Sequence, residues 1–78
     1  MDIHTKLIGV FADTLGVPPE TITPTTGYNS HEKWDSLRHL ELINNLEQAF
    51  GITISLEDSV EMTTFKKVEE VILRHLPT

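Results

Sequence analysis

Apolar residues recur at helical spacing in the first sixteen positions of the chain. They stand at Ile3, Leu7, Val10, Phe11 and Leu15. This spacing collects apolar side chains on one face of a helix. Asp2 can cap the start of that helix, and Gly16 can end it in a left-handed conformation. The pattern therefore predicts a first helix between Asp2 and Gly16.

A second periodic segment predicts a helix from about Ser36 to Phe50, ended by Gly51. Projection at about 100° per residue separates two faces. The apolar face holds Leu42, Ile43, Leu46, Ala49 and Phe50, with His39 among them, and the opposite face holds Arg38, Glu41, Asn44, Asn45 and Gln48. Leu37 falls among the polar residues and Leu40 lies at the border. We therefore expect Leu37 to be exposed beside Ser36.

The rest of the chain predicts one short and one long helix. Ile52 and Ile54 alternate as in a strand, but a single strand would lack a partner, so we expect an extended connector. Ser55 and Asp58 have the spacing of a capping box that opens a short helix. The last helix begins at Thr63 or Thr64 and precedes Pro77. It carries Phe65, Val68, Val71, Ile72 and Leu76 on one face.

The segment from Gly16 to Trp34 is irregular and holds three of the four prolines. A loop of this length is unusual in so small a domain and is often functional. We expect Ile22, Tyr28 and Trp34 to hold it against the core. The predicted fold class is all-α: a four-helix bundle of three long helices and one short one, with a long loop between helices one and two.

Composition narrows the function. The 78 residues predict one domain, 1–78, with a core near the minimum size for stability. A net charge of −6 disfavours binding to nucleic acid or anionic membranes. Cysteine is absent, which fits a reducing compartment, and the N-terminal segment lacks the apolar core of a signal peptide. We expect a cytoplasmic protein without membrane insertion.

The start of the second helix is the candidate site. Its free backbone N–H groups and positive dipole end would stabilise a phosphate on Ser36. Alternatively, Asp35 or Ser36 only caps the helix, the commonest role for such residues there. An esterase is disfavoured because no nucleophile elbow or triad surrounds Ser36. No catalytic or metal site is predicted, since the four histidines lack ligand-like spacing: His4, His31, His39 and His75.

The stretch WDSLRHLELINNLEQAFGI resembles the carrier-protein family, which includes acyl carrier proteins and peptidyl carrier domains. Asp35-Ser36-Leu37 matches the family's attachment motif, in which 4′-phosphopantetheine is joined to the serine by a phosphodiester. The following positions also match those of acyl carriers: Glu41, Leu42, Leu46, Glu47 and Phe50-Gly51-Ile52. The resemblance covers the whole chain, and it implies a non-catalytic protein with the acyl-carrier type of helical bundle.

The resemblance further implies that Ser36 bears an arm whose thiol carries acyl intermediates as thioesters to partner enzymes, at high effective concentration. A separate phosphopantetheinyl transferase would install the arm from coenzyme A. From Asp35 to Glu61 there are six acidic residues and one basic residue. This is either a solvated polar face or, as the resemblance favours, a surface of a monomeric carrier that steers basic patches of partner enzymes.

The docking residues implied by the resemblance surround Ser36, with Glu41 and Glu47 expected to point outward. They are Asp35, Leu37, Leu40, Glu41, Glu47, Glu57 and Asp58. In this family the acyl chain can enter between the second helix and the last two. The candidate walls of that pocket are Leu46, Ile54, Met62, Val68 and Ile72. Because Val68 is bulkier than the small residue often found there, we expect short or medium chains to fit best.

Three residues near the motif depart from the pattern of fatty-acid carriers. Trp34 replaces a small residue, while Arg38 and His39 replace acidic and hydroxyl residues. These departures favour a specialised carrier of polyketide, lipopolysaccharide or modified-lipid synthesis over one of fatty-acid elongation.

Two alternatives to an acyl carrier remain. One is an aminoacyl or peptidyl carrier, although HEKWDSL lacks the usual glycine-rich approach. The other is a helical interaction module, phosphorylated on Ser36, without a prosthetic group.

Overall fold

The computed structural model of the chain describes residues 2–27 and 33–76. Within these residues the secondary structure is helical, without strands, as the apolar pattern predicted. The helices are α1 (Ile3–Leu15), α2 (Ser36–Phe50), α3 (Leu56–Glu61) and α4 (Phe65–His75), with a single 3₁₀ turn at Pro19–Thr21 in the loop. Tyr28, His31 and Pro77, which entered the predictions, lie outside the described residues.

The predicted ends of α1 and α2 are confirmed. The carboxylate of Asp2 accepts a hydrogen bond from the Thr5 N–H, and that of Asp35 caps α2. Gly16 and Gly51 end the two helices with φ of 69° and 64°, in the left-handed region where only glycine is unstrained.

The starts of α3 and α4 are capped by hydroxyl groups. Ser55 accepts from the Asp58 N–H at 3.1 Å, which is one of the two bonds of the predicted capping box, while the Asp58 carboxylate bonds to His75. Thr64, rather than Thr63, caps α4 by accepting from the Lys67 N–H at 3.2 Å. The predicted connector between α2 and α3 is confirmed, since no strand forms there.

One core joins the helices and the loop. It consists of Leu7, Phe11, Leu15, Ile22, Trp34, Leu42, Leu46, Ile54, Met62, Phe65, Val68, Val71 and Ile72. At its centre Phe11 meets Trp34 and Phe65 edge to face, with ring centroids 5.2 and 4.9 Å apart. Aromatic pairs prefer this geometry. The expected burial of Ile22 and Trp34 against the core is confirmed.

Hydrogen bonds attach the long loop to α4. They also attach α2 to α1. The N–H of Phe65 donates to the carbonyl of Thr26 at 2.8 Å. The Nδ2 of Asn45 donates to the buried hydroxyl of Thr14 at 2.8 Å. Asn45 is exposed, as its place on the polar face predicted, and its amide also supplies the partner that the buried hydroxyl needs.

Candidate functional site

Ser36 is the first residue of α2, and its side chain is exposed. The preceding Asp35 is the N-cap, with its carboxylate accepting from the Arg38 N–H at 2.9 Å. The choice between Asp35 and Ser36 as the cap is thus resolved in favour of Asp35. The Ser36 hydroxyl is not needed to cap the helix and stands at the positive end of a 15-residue helix.

A groove opens beside Ser36, between the start of α2 and α3. Its volume is about 400 Å³, and its lining is mainly apolar: Ser36, His39, Leu40, Leu56, Ser59, Val60, Met62 and Thr63. Of the expected pocket walls, Met62 lines this groove. The other four lie in the closed core, which includes Met62 as well: Leu46, Ile54, Val68 and Ile72. All five residues lie inside the protein, as expected, but only Met62 meets the opening.

Exposed apolar side chains border the groove and the serine. Leu37 is 64% exposed, which confirms the expectation, and Leu40, placed at the border of the apolar face, is 69% exposed. Leu56 and Val60 on α3 are more than two-thirds exposed as well. Sequence reasoning missed these two, although their spacing of four residues puts them on one side of a helix.

His39 links three parts of the site. The indole N–H of Trp34 donates to His39 Nδ1 at 3.0 Å, and His39 Nε2 lies 2.9 Å from the carbonyl oxygen of Ser59. An indole nitrogen only donates and a carbonyl only accepts. Both bonds form when the ring proton is on Nε2, and the His39 ring is half-buried. Sequence reasoning did not foresee either bond.

Two predicted docking acids have partners within the chain. The carboxylate of Glu41 lies 3.2 Å from the guanidinium of Arg38, on the exposed side of α2. Glu47 is half-buried, and its carboxylate accepts from the Ile54 N–H at 2.8 Å. The expected outward orientation of Glu47 was wrong, because the extended connector leaves a backbone donor that needs an acceptor.

The acids of α3 are paired with the end of α4. The carboxylate of Asp58 lies 2.7 Å from His75 Nε2, and this hydrogen bond holds the pKa of Asp58 below its usual 3.8. Arg74 contacts Glu61 at 2.9 Å, a bond that raises the pKa of the guanidinium. Glu57, like Glu61, is exposed. Two of the six acidic residues counted between Asp35 and Glu61, Glu41 and Glu61, are therefore paired with an arginine.

The histidines of the described residues have protein partners. His4 Nδ1 lies 2.8 Å from the carboxylate of Glu69, and His75 bonds to Asp58. Within residues 2–27 and 33–76, no three potential ligands are close enough to hold a metal ion. None of the helices in this part of the chain has the length and apolar character that crossing a membrane requires.

The residues present fit a phosphate-linked arm. The exposed hydroxyl of Ser36 is accessible, and the helix start beside it favours a phosphate. The adjacent groove offers an apolar surface to a linear chain. The Asp35 carboxylate bonds to the helix backbone and leaves the space over Ser36 open to solvent.

Comparisons with known proteins agree with this geometry. The family model described as "Phosphopantetheine attachment site" matches residues 5–72. An acyl carrier protein of Rubrobacter xylanophilus is 34% identical over 74 residues, which are 95% of this chain and 91% of the relative. An acyl carrier protein of Thermosynechococcus vestitus is 34% identical over 91% of this chain and 88% of its own length.

A third relative is much larger. The 3-methylorcinaldehyde synthase of Talaromyces stipitatus is 31% identical over 86% of this chain, which is 2% of the synthase. A carrier domain of this kind interacts with synthase enzymes and does not itself catalyse a reaction. The chain belongs to the phosphopantetheine-binding carrier family: it is an acyl carrier protein, with 4′-phosphopantetheine as its prosthetic group.

Proposed function

We propose that Ser36 is the attachment residue and that the chain presents acyl groups, held on the arm, to its partner enzymes. The observation that carries this proposal is the exposed Ser36 hydroxyl, which Asp35 relieves of the capping role. Ser36 also lies inside the matched segment 5–72 and within the Asp35-Ser36-Leu37 motif.

Residues around Ser36 have separate tasks in this proposal. A phosphopantetheinyl transferase would direct the Ser36 oxygen, as it loses its proton, onto the arm's phosphate in coenzyme A. The pyrophosphate bond of coenzyme A then breaks, and adenosine 3′,5′-bisphosphate leaves. The N–H groups at the start of α2 then stabilise the added negative charge. Asp35 keeps this helix end in place through its bond to the Arg38 N–H. Once attached, the arm supplies the thiol, which this cysteine-free chain lacks.

The acyl chain would enter the protein at Met62. This residue lines the groove beside Ser36 and also belongs to the buried core. Its flexible, unbranched side chain can adapt to a guest. The proposed inner walls are Leu46, Ile54, Val68 and Ile72. An acyl chain that passed Met62 would therefore displace packing inside the core, which limits the length that fits.

Partner enzymes would dock around Ser36. Leu37 and Leu40 offer apolar contact, while Asp35, Glu41 and Glu57 supply negative charge that would attract basic patches. We propose acyl-transferring or condensing enzymes as these partners and a monomeric carrier in the cytoplasm. The relation to a synthase of 3-methylorcinaldehyde supports service in a specialised pathway such as polyketide synthesis.

Loading with the arm tests the attachment residue. The purified chain is incubated with coenzyme A and a broad-specificity phosphopantetheinyl transferase, and intact-protein mass spectrometry follows the addition. We expect one arm on the wild type and on Ser59→Ala, which alters a serine of the same groove. Ser36→Ala should remain unmodified. An unmodified wild type, in conditions that load a control carrier, would overturn the proposal, as would loading of Ser36→Ala.

A further inference from the structure

Helix α3 forms one wall of the groove, yet none of its residues is buried. Buried residues of the core stand before and after it, at Ile54 and Met62, while the helix itself is held by polar contacts. On the side of α4, these contacts join Asp58 to His75 and Glu61 to Arg74. They lie on the exposed surface, where a single ion pair contributes little to stability.

On the side of α2, His39 makes the connection. It is three residues from Ser36, so the two side chains lie on neighbouring positions of the helix surface. Both line the groove. His39 Nε2 donates to the carbonyl oxygen of Ser59, near the C-terminal end of α3, at 2.9 Å.

The opposite side of the His39 ring is held by the core. Trp34 is fully buried and packs edge to face on Phe11. Its indole N–H donates to His39 Nδ1, and the two rings stack with centroids 5.8 Å apart and planes 27° apart. With both ring nitrogens bonded, the imidazole has a single orientation. A continuous path runs from the core through Trp34 and His39 to α3.

We propose that His39 is a positioning residue that fixes α3 at its distance from Ser36 and so sets the width of the groove that receives the acyl chain. The proposal rests on the proposed acyl-carrier role of Ser36. Its structural part, the holding of α3 by His39, concerns the unmodified chain as well. The bond from His39 acts on a backbone carbonyl, so it holds α3 whatever side chains that helix carries.

Hydrogen exchange on the unmodified chain tests the holding of α3. His39→Leu fills similar space without a donor, while His39→Gln keeps an N–H that can donate to the Ser59 carbonyl. The reporters are the amides of Ser59 and Met62, bonded to the carbonyls of Ser55 and Ser59. The references are amides of other helices, at Gly16 and Val68.

In His39→Leu we expect exchange at Ser59 and Met62 to rise by about tenfold relative to the references, the effect of one lost hydrogen bond on local opening. His39→Gln should recover most of the protection. If His39 only filled space in the core, its loss would raise the exchange rates of all four amides together. Uniform changes, or a Gln variant no better protected than the Leu variant, would overturn the proposal.

The groove width is tested on protein loaded with the arm. A series of saturated acyl groups is attached, and the melting temperature of each is compared with that of the unacylated form. We expect the wild type to be stabilised by short and medium chains only, and His39→Leu to lose this dependence on length. His39→Gln should retain it. Equal length profiles for the wild type and His39→Leu would contradict the assignment of groove width to His39.

The outcomes separate the two proposals. Failure to load the wild type at Ser36 rejects the proposed attachment site and leaves the exchange result on the unmodified chain to be judged separately. Normal loading, combined with uniform exchange in His39→Leu, rejects the role of His39 and leaves the attachment site intact.

Discussion

Helices α3 and α4 follow one another in the chain but are held in different ways. α4 buries Phe65, Val68, Val71 and Ile72, whereas α3 buries none of its side chains. The apolar residues of α3, Leu56 and Val60, are instead 80% and 68% exposed. α4 is thus placed by its own apolar side chains, whereas α3 is held by polar contacts of Asp58, Ser59 and Glu61 between two buried flanking residues, Ile54 and Met62.

This difference has an energetic consequence. Loss of a large buried side chain costs about 2–5 kcal/mol, whereas a typical hydrogen bond contributes about 0.5–1.5 kcal/mol. Helix α3, the wall of the groove that faces solvent, can therefore move at a smaller cost in free energy than α4. The apolar side chains left exposed on α3 remain available to the groove and to partner surfaces.

The largest effect should come from Phe65→Ala in α4. Phe65 is fully buried and contacts the Phe11 ring. We expect the free energy of unfolding to fall by about 3–5 kcal/mol, enough to unfold much of so small a domain. Leu56→Ala in α3 is the control and should change the free energy of unfolding by less than about 0.5 kcal/mol. Urea denaturation measures both, and similar losses would refute the comparison between the helices.

The same substitution at two valines sharpens the comparison. Val68→Ala removes two buried carbons and should cost about 2 kcal/mol, while Val60→Ala, on the exposed side of α3, should cost less than about 0.5 kcal/mol.

On arm-loaded protein, Val68→Ala should also extend the range of acyl lengths that raise the melting temperature. Each added methylene should contribute up to about 0.8 kcal/mol until the space is full. Identical length profiles for Val68→Ala and the wild type would show that Val68 does not line the acyl site.

Acid should weaken the contact between α3 and α4. The hydrogen bond from His75 lowers the pKa of Asp58 in the folded state, so its stabilisation is present above pH 3.8 and is lost as the pH falls through the lowered value. The wild type should thus exceed Asp58→Asn in stability near neutral pH, and the difference should shrink in acid. Urea denaturation across this range measures it. A difference that stays constant would exclude Asp58 as the source.

The cap of α1 provides a comparison for that experiment. The hydrogen bond from the Thr5 N–H lowers the pKa of Asp2, so its contribution has the same sign and is likewise lost in acid, below pH 3.8. Asp2→Asn retains a capping acceptor. We therefore expect Asp2→Asn to remove the acid sensitivity of this cap without affecting hydrogen exchange at the α3 amides.

Glu41→Lys should alter stability only slightly and should act mainly on docking. Glu41 pairs with Arg38 on the exposed surface, where an ion pair contributes at most about 1 kcal/mol. If partners dock there through basic patches, transfer of acyl groups should slow by roughly threefold to tenfold and become less sensitive to salt. Gln48→Lys, farther along the exposed side of α2, is the matched control. Equal rates for both variants would favour apolar docking through Leu37 and Leu40.

Local signals in the sequence predicted the helices well. Asp2, Asp35 and Ser55 accept bonds from backbone N–H groups three residues ahead, and Gly16 and Gly51 end their helices. These features depend on neighbours within a few residues, which is why spacing and residue type suffice to recognise them. The choice between Thr63 and Thr64 remained open because both residues can cap and adjoin the same helix.

The site was predicted less completely than the helices. The Asp35-Ser36-Leu37 motif and the apolar period of α2 placed an exposed serine at a helix start and a leucine in solvent beside it. The same reasoning placed Glu47 outward, whereas its carboxylate bonds to the Ile54 N–H. Helical projection shows which side of a helix a residue occupies, but not which backbone groups of a following connector come near it.

From the sequence alone, the chain's own hydrophobic period and capping residues determined the number, length and buried faces of the helices. The tertiary structure decided which side chains and backbone groups of separate helices form hydrogen bonds with each other. His39 bonds to a carbonyl twenty positions away, and Asn45 to a hydroxyl thirty-one positions away. Such partners share no local pattern, because they meet only after the core has brought separate helices together. For the same reason, folding rather than residue type left Leu56 and Val60 exposed beside Ser36.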